Sequence, residues 1–281
     1  MSVALRDVGE AEVAEIEREG WTVATAVSHD GTRIGFEQTG TGPTLVLVDA
    51  ASGFREFGPM RSLAGHLADR FAVVTYDRRG RGESGDTPPY AVEREVEDLA
   101  AVIEATGGEA LVHGFSSGAA LALLAAAAGL PITQLSLLEP PIDLDRPAQE
   151  SSLAAEIDAL VAAGRRADAV EHFQTSIGVP AEMVAGVRQT PFFPVLEGIA
   201  HTLAYDSRIT SALSPATLAS VTVPSLVIDS EASDRRLRSW ASGVAAALPR
   251  GRHLSLSGTW HGVPDDVLAP ALADFFHDGT A

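Results

Sequence analysis

A serine hydroxyl becomes a useful nucleophile only when a neighbouring histidine takes its proton and a carboxylate holds that histidine in place. Ser116 sits in Gly114-Phe115-Ser116-Ser117-Gly118, a G-x-S-x-G pattern between an expected strand and an expected helix. In that context the serine occupies a sharp, strained turn, a nucleophile elbow, with its hydroxyl exposed above a sheet. The glycines are needed because side chains there would collide with neighbouring backbone. As a bare pattern the segment is an ordinary Gly/Ser-rich turn, and its place at a strand-to-helix junction is what gives it weight. His261, in Gly258-Thr259-Trp260-His261-Gly262 between the last expected strand and the last expected helix, is a base in the right chain order. The other histidines are worse placed: His29 in a hairpin, His66 and His172 on helices, His113 inside a strand, His277 near the end of the chain. His201 falls in a helical segment where it either meets substrate or sits on a helix surface.

Composition removes competing chemistries. The chain of 281 residues carries 20 basic and 38 acidic groups, a formal net charge of −18, and no cysteine; every basic group is arginine. Without cysteine there is no disulfide framework, thiol nucleophile, iron–sulfur cluster or thiolate zinc site. Without lysine there is no Schiff-base enzyme, pyridoxal phosphate anchor or Gly-Lys-Ser/Thr phosphate loop. No H-E-x-x-H or comparable ligand spacing is present, so a metal site is not expected, and the proposed chemistry calls for no cofactor. The acid excess argues against nucleic acid or an anionic membrane as partner, since both require a positive patch.

The elements that must position Ser116 and His261 are read from periodicity. Thr22 to Ser28 and Arg33 to Gln38 form an expected hairpin about Asp30-Gly31, and Thr44 to Asp49 is an apolar run typical of a buried strand. Helices (60–69, 92–105, 117–128) then alternate with strands (71–76, 109–115, 133–139), the mark of a parallel sheet covered on both faces. From Pro141 to Thr222 only helical periodicity remains, with breaks at Gly164, Pro180, Pro191 and Pro194. Strands resume at 223–229 and 253–256, with helices 236–247 and 264–276. This divides the chain into an α/β core over 21–140 and 223–281, an inserted all-helical cap over 141–222, and an acidic amphipathic helical extension over 1–20. At this length roughly 75% of the extended surface is buried on folding. The longest apolar run, Ala119 to Leu130, is short of the roughly 20 residues that span a bilayer, so a cytoplasmic protein is expected.

Here the chain resembles the α/β-hydrolase family, in its serine-nucleophile branch with a helical cap, from Thr22 to Phe276. The family's Asp-x-Arg-Gly-x-Gly-x-Ser turn is present as Asp77-Arg78-Arg79-Gly80-Arg81-Gly82-Glu83-Ser84. Gly80-Arg81-Gly82-Glu83-Ser84-Gly85 also satisfies G-x-G-x-x-G, but Asp86-Thr87-Pro88-Pro89 follows where a helix should open onto a pyrophosphate, so it reads as a supporting turn. The resemblance implies a mostly parallel eight-stranded sheet. It also implies an oxyanion hole from the N–H groups of Ala51 and Ser117, although Asp49-Ala50-Ala51 departs from the family's usual His-Gly-x. The family's usual acid slot, nine residues after Pro224, holds Ser233, with Asp234 one residue later; its second known location holds Glu139, 23 residues after Ser116. Glu139 and Asp234 therefore stand as alternatives for the acid, with Asp229 and Glu231 behind them.

Phe192 and Phe193 in the cap, and Phe54, Phe115 and Trp260 from core loops, are the expected lining of an apolar substrate pocket with few charges. The expected function is a serine hydrolase acting on an ester, lactone or thioester of a small, largely apolar molecule without a cofactor. A non-hydrolytic enzyme of the same fold, such as a perhydrolase, lyase or cyclase, is the alternative suggested by the departures at Asp49-Ala50 and Ser233. A ligand-binding module is a third, and it leaves Ser116 and His261 without a task.

Overall fold

The computed structural model describes residues 16–18, 20–144 and 152–278. Among them, nine strands form one sheet in the order β1-β2-β3-β5-β4-β6-β7-β8-β9. The first three, β1 (Ile16–Arg18), β2 (Trp21–Val27) and β3 (Arg33–Thr39), run antiparallel. β3 pairs antiparallel with β5 (Ala72–Tyr76). From β5 the sheet is parallel through β4 (Thr44–Val48), β6 (Ala110–Phe115), β7 (Ile132–Leu138), β8 (Ser225–Ser230) and β9 (Gly251–Leu256). Eight of these strands match the expected ones within a few residues. β1 is the addition: the chain reverses at Gly20, whose φ of 83° few other residues adopt, and Ile16–Arg18 pairs back on β2 where a helix was expected. The rest of that expected helix, residues 1–15, lies outside the described residues.

The sheet is double-faced because its strands are apolar on both sides. In β4, Val46 and Val48 enter one core while Leu45 and Leu47 enter the other. The first core is covered by α2 (Val92–Ala105), α3 (Ser117–Ala127) and α10 (Arg235–Ala247), the second by α1 (Met60–Leu67) and α11 (Asp265–Asp278). α3 is apolar all round, and such a helix must be buried on every side; it packs between the sheet and α8 (Thr202–Ser211).

Strand order creates the crevice. From β4 the chain moves outward to β5 and then back past β4 to β6, so the loops leaving β4 and β6 diverge at the carboxyl ends of adjacent strands. Such a switch point is where open α/β sheets bind ligands. Between β7 and β8 the described residues form α4 (Ser152–Ala162), α5 (Arg166–Ser176), α6 (Ala181–Arg188), α7 (Phe193–Gly198), α8 and α9 (Pro215–Ser220). This insert has an apolar core of its own, including Ile157, Val170, Phe173, Leu196 and Leu203, against which Ala51 and Phe57 of the main unit pack.

Candidate active site

Ser116 lies between β6 and α3, with φ 53° and ψ −120°. The two flanking glycines let the chain turn there. A Cβ on Gly114 would run into the backbone of Gly118 and Ala119, and one on Gly118 into the carbonyls of Val48 and Asp49. Because Ser117 is the first residue of α3, its amide belongs to the set that a helix leaves unpaired, and the positive end of the helix dipole faces the same point.

The Ser116 Oγ lies 3.0 Å from His261 Nε2, and His261 Nδ1 lies 2.7 Å from Glu139 Oε2. With the Nδ1 proton donated to the carboxylate, Nε2 is left as the acceptor for the serine proton. Glu139 is fully buried at the end of β7. Its other oxygen, Oε1, accepts the Ser230 N–H at 2.9 Å. Burial alone would raise its pKa, but His261, the Ser233 hydroxyl and the Ser230 amide together hold it below the ordinary carboxylate value. The Ser233 hydroxyl also accepts the backbone N–H of His261 at 2.9 Å. A serine in the family's usual acid slot thus fixes the loop and the acid instead of orienting the imidazole by charge.

Asp234, the alternative acid, is placed elsewhere by the structure. Its Oδ1 accepts the N–H groups of Arg236 and Leu237 and caps the start of α10. Asp229 faces His253 at 2.8 Å, on the outer side of β8. Among the described residues, the non-glycine positions with positive φ are Ser52, Ser116, Glu139 and His261. Three of these four are the hydrogen-bonded Ser, Glu and His, and such backbone strain concentrates at functional sites.

A cavity of about 440 Å³ opens on Ser116 and His261. Ala51 and Ser117 line it beside the serine, so the backbone amides expected to bind an oxyanion border the same space. The expected aromatic lining is mostly elsewhere: of the five residues, Trp260 alone is on the cavity wall. Phe115 packs against the His261 ring, with centroids 5.0 Å apart, and into the core below the sheet. Phe54 and Phe192 both pack on Phe57, at 5.8 and 5.5 Å, and Phe193 is buried in the core of the insert. Packing against neighbouring rings, and not residue type, decides which aromatics reach the wall: Phe173 and Trp240 do, while Phe54 and Phe192 pack on Phe57 instead. The wall is instead mixed: Leu153, Phe173, Leu237 and Trp240 share it with Ser176, Ser207, Thr210 and Ser211, and with the charged Asp143, Asp206 and Arg236.

Sequence reasoning passed over Arg78, Arg81 and Asp206, which form a buried network behind Ser117. Arg78 donates to both oxygens of Glu95 and, at 2.7 Å, to Asp206 Oδ1; Arg81 donates to Asp206 Oδ2 at 2.6 Å. The signal for the helix side was present, since Glu95 and Asp98, three apart on α2, are acids on its buried face, opposite Arg78 and Arg79. The turn's own aspartate, Asp77, accepts from Arg55 and from the Glu83 amide, so this motif is the supporting turn it was expected to be. Nearby, burial pushes the Asp49 carboxyl up to about 7 against the pull of the Ala50 amide and of the Arg81 and Arg78 charges. Among the described residues no group of three or more His, Asp or Glu side chains could hold a metal ion.

The profile of the Alpha/beta hydrolase family matches residues 40–272. The chain belongs to this family. A crystal structure of an alpha/beta hydrolase from Sphaerobacter thermophilus is 48% identical, with a TM-score of 0.82 over 90% of this chain and 99% of that one. The esterase of Thermogutta terrifontis, at 19% identity and a TM-score of 0.70 over 92% and 99% of the two chains, shares the fold. YraK of Bacillus subtilis, described as an uncharacterized hydrolase, is 35% identical over 97 residues, which make up 33% of this chain and 35% of that one. The match to YraK thus spans about a third of its length. Among the described residues no helix of this alpha/beta hydrolase is long and apolar enough to cross a membrane.

Proposed function

We propose that this alpha/beta hydrolase is a serine hydrolase that cleaves an ester, lactone or thioester through an acyl-enzyme. The observation that carries the reading is the unbroken chain Ser116–His261–Glu139, with contacts of 3.0 and 2.7 Å, opening on a cavity of about 440 Å³. His261 takes the Ser116 proton as Oγ attacks the carbonyl carbon, and Glu139 stabilises the imidazolium that results. The N–H groups of Ala51 and Ser117 receive the negative charge that develops on the carbonyl oxygen. His261 then returns the proton to the leaving group, and a water activated by the same histidine releases the acid. The helices between β7 and β8 act as the cap that closes the cavity. Because Ser176, Ser207, Thr210, Asp143 and Arg236 share the wall with Leu153 and Trp260, the substrate is a small molecule that carries polar groups beside its apolar part. This revises the expectation of a largely apolar substrate.

The test is reaction with a fluorophosphonate probe followed by peptide mapping, alongside turnover of p-nitrophenyl esters and simple lactones. The expected result is a single adduct on Ser116 and loss of both signals in Ser116→Ala. An adduct on another residue, or none on folded protein, sinks the mechanism. Labelling of Ser116 with no turnover of any acyl substrate favours non-hydrolytic chemistry at the same serine.

A further inference from the structure

The amides of the oxyanion hole come from two separate segments, the loop after β4 and the first residue of α3, and one carboxylate from the insert reaches the supports of both. Arg81 donates through Nη1 to the carbonyls of Ala50 (2.7 Å) and Gly53 (3.2 Å), on either side of Ala51, through Nε to Thr202 Oγ1 (3.2 Å) and through Nη2 to Asp206. Arg78 Nη1 donates to the Asp49 carbonyl and to the Ser117 hydroxyl, each at 3.3 Å, as well as to Asp206. The Ser117 hydroxyl in turn donates to Asp206 Oδ1 at 2.7 Å. Arg78, Arg81 and Asp206 are each 1% exposed. Despite its burial, Asp206 is held ionised below the usual carboxylate range by Arg81, Arg78 and Ser117.

Buried ion pairs of this kind add little net stability compared with a well-packed apolar substitute, because desolvation offsets their attraction. What they do supply is geometry. An oxyanion donor is effective only within roughly 2.7–3.1 Å of the developing charge, and here both donor segments are tied to one rigid fork.

Resting on the hydrolase reading above, we propose that Asp206 is a positioning residue for the oxyanion hole, aligning the Ala51 and Ser117 amides through Arg81, Arg78 and the Ser117 hydroxyl. The hole is then complete only while α8 is seated. Lifting α8 strands the Arg81 charge among carbonyls, so α8 is the fixed part of the insert, and any opening for substrate falls to its other helices.

The experiment compares wild type, Asp206→Asn and Ser117→Ala. The readouts are kcat and KM for p-nitrophenyl acetate, affinity for phenylboronic acid, whose tetrahedral adduct on Ser116 places an oxygen in the hole, and thermal unfolding. Asp206→Asn keeps the shape and removes the charge. Its kcat and boronate affinity are expected to fall together by about 10- to 100-fold with KM within about threefold, since loss of one donor costs about 10²–10³ in kcat. Ser117→Ala leaves every ion pair in place and is expected to lose about 3- to 10-fold in the same two readouts, as one of several links to a hole donor. A merely structural role moves the unfolding midpoint but neither kcat of the folded fraction nor boronate affinity, and that outcome overturns the assignment. If Asp206→Asn does not fold, Ser117→Ala decides alone. Wild-type protein unlabelled at Ser116 by fluorophosphonate overturns the hydrolase reading and this assignment with it; labelled wild type with both variants indistinguishable from it overturns the assignment only.

Discussion

Two carboxylates that follow the neighbouring strands β7 and β8 have opposite surroundings, and that difference decides their tasks. Glu139 is fully buried, bound on one oxygen by the Ser230 amide and on the other by His261. Asp234 is partly exposed and uses one oxygen to accept two helix amides. Glu139→Gln is expected to lower turnover by about 10³–10⁴, the scale seen when a triad acid becomes an amide and the histidine tautomer is wrong. Asp234→Asn retains an N-cap acceptor and is expected to stay within about threefold. Steady-state kinetics on a p-nitrophenyl ester checks both, and the reverse order would reassign the acid.

The elbow depends on how closely α3 lies against β4. Gly118 sits where any side chain meets the carbonyls of Val48 and Asp49, so the helix can approach the strand only because that position is glycine. Gly118→Ala is expected to push α3 outward, at a cost of about 1–3 kcal/mol for overpacking, and to separate the Ser117 amide from Ala51. Urea unfolding reads the first effect, and a loss of about tenfold or more in kcat/KM, by the geometric argument for oxyanion donors, reads the second. Unchanged activity in a folded variant would mean that the α3–β4 spacing does not set the site. The insert follows a different logic. Its helices bury Ile157, Phe173 and Leu203 among themselves, while α8 sends Asp206 down to the sheet.

Across the fold, stability is coupled to pH through groups buried without charge partners. His113 in β6 is fully buried, with Nδ1 3.1 Å from Ser136 Oγ, and burial lowers its pKa to about 3. A base whose folded pKa is depressed favours the folded state fully above its unfolded value of about 6.5. That contribution is lost as pH falls from there towards 3, because the unfolded chain takes up the proton first. His113→Asn removes the linkage. Whatever its constant offset from lost packing, the variant is expected to lose less stability than wild type between pH 7 and 4.5, by about 2 kcal/mol. Equal losses of stability in wild type and variant, measured by denaturant titration at the two pH values, would contradict this. The net charge of −18 adds self-repulsion in the folded state, while the buried arginines are each met by acids.

The alternation of strands and helices, the elbow at Ser116 and the strand-to-helix loop at His261 were all legible in order and spacing, because each depends on contacts within one or two elements. A carboxylate at the end of β7 was visible too, but as one of several. Its selection required His261 to approach from 122 residues away, a distance no local pattern encodes. Asp206 was invisible for the same reason. On its helix it is an ordinary acid, and its partners Arg78 and Arg81 lie more than a hundred residues earlier, brought together when the insert settles on the sheet. The cavity wall followed packing in place of composition. Phe54 and Phe192 pack on Phe57 and Phe193 is buried in the insert, which leaves serines, Asp206 and Arg236 to share the space above Ser116 with Phe173, Trp240 and Trp260. Residue order therefore dictates which groups can react, while three-dimensional packing sets which of them meet and what they enclose.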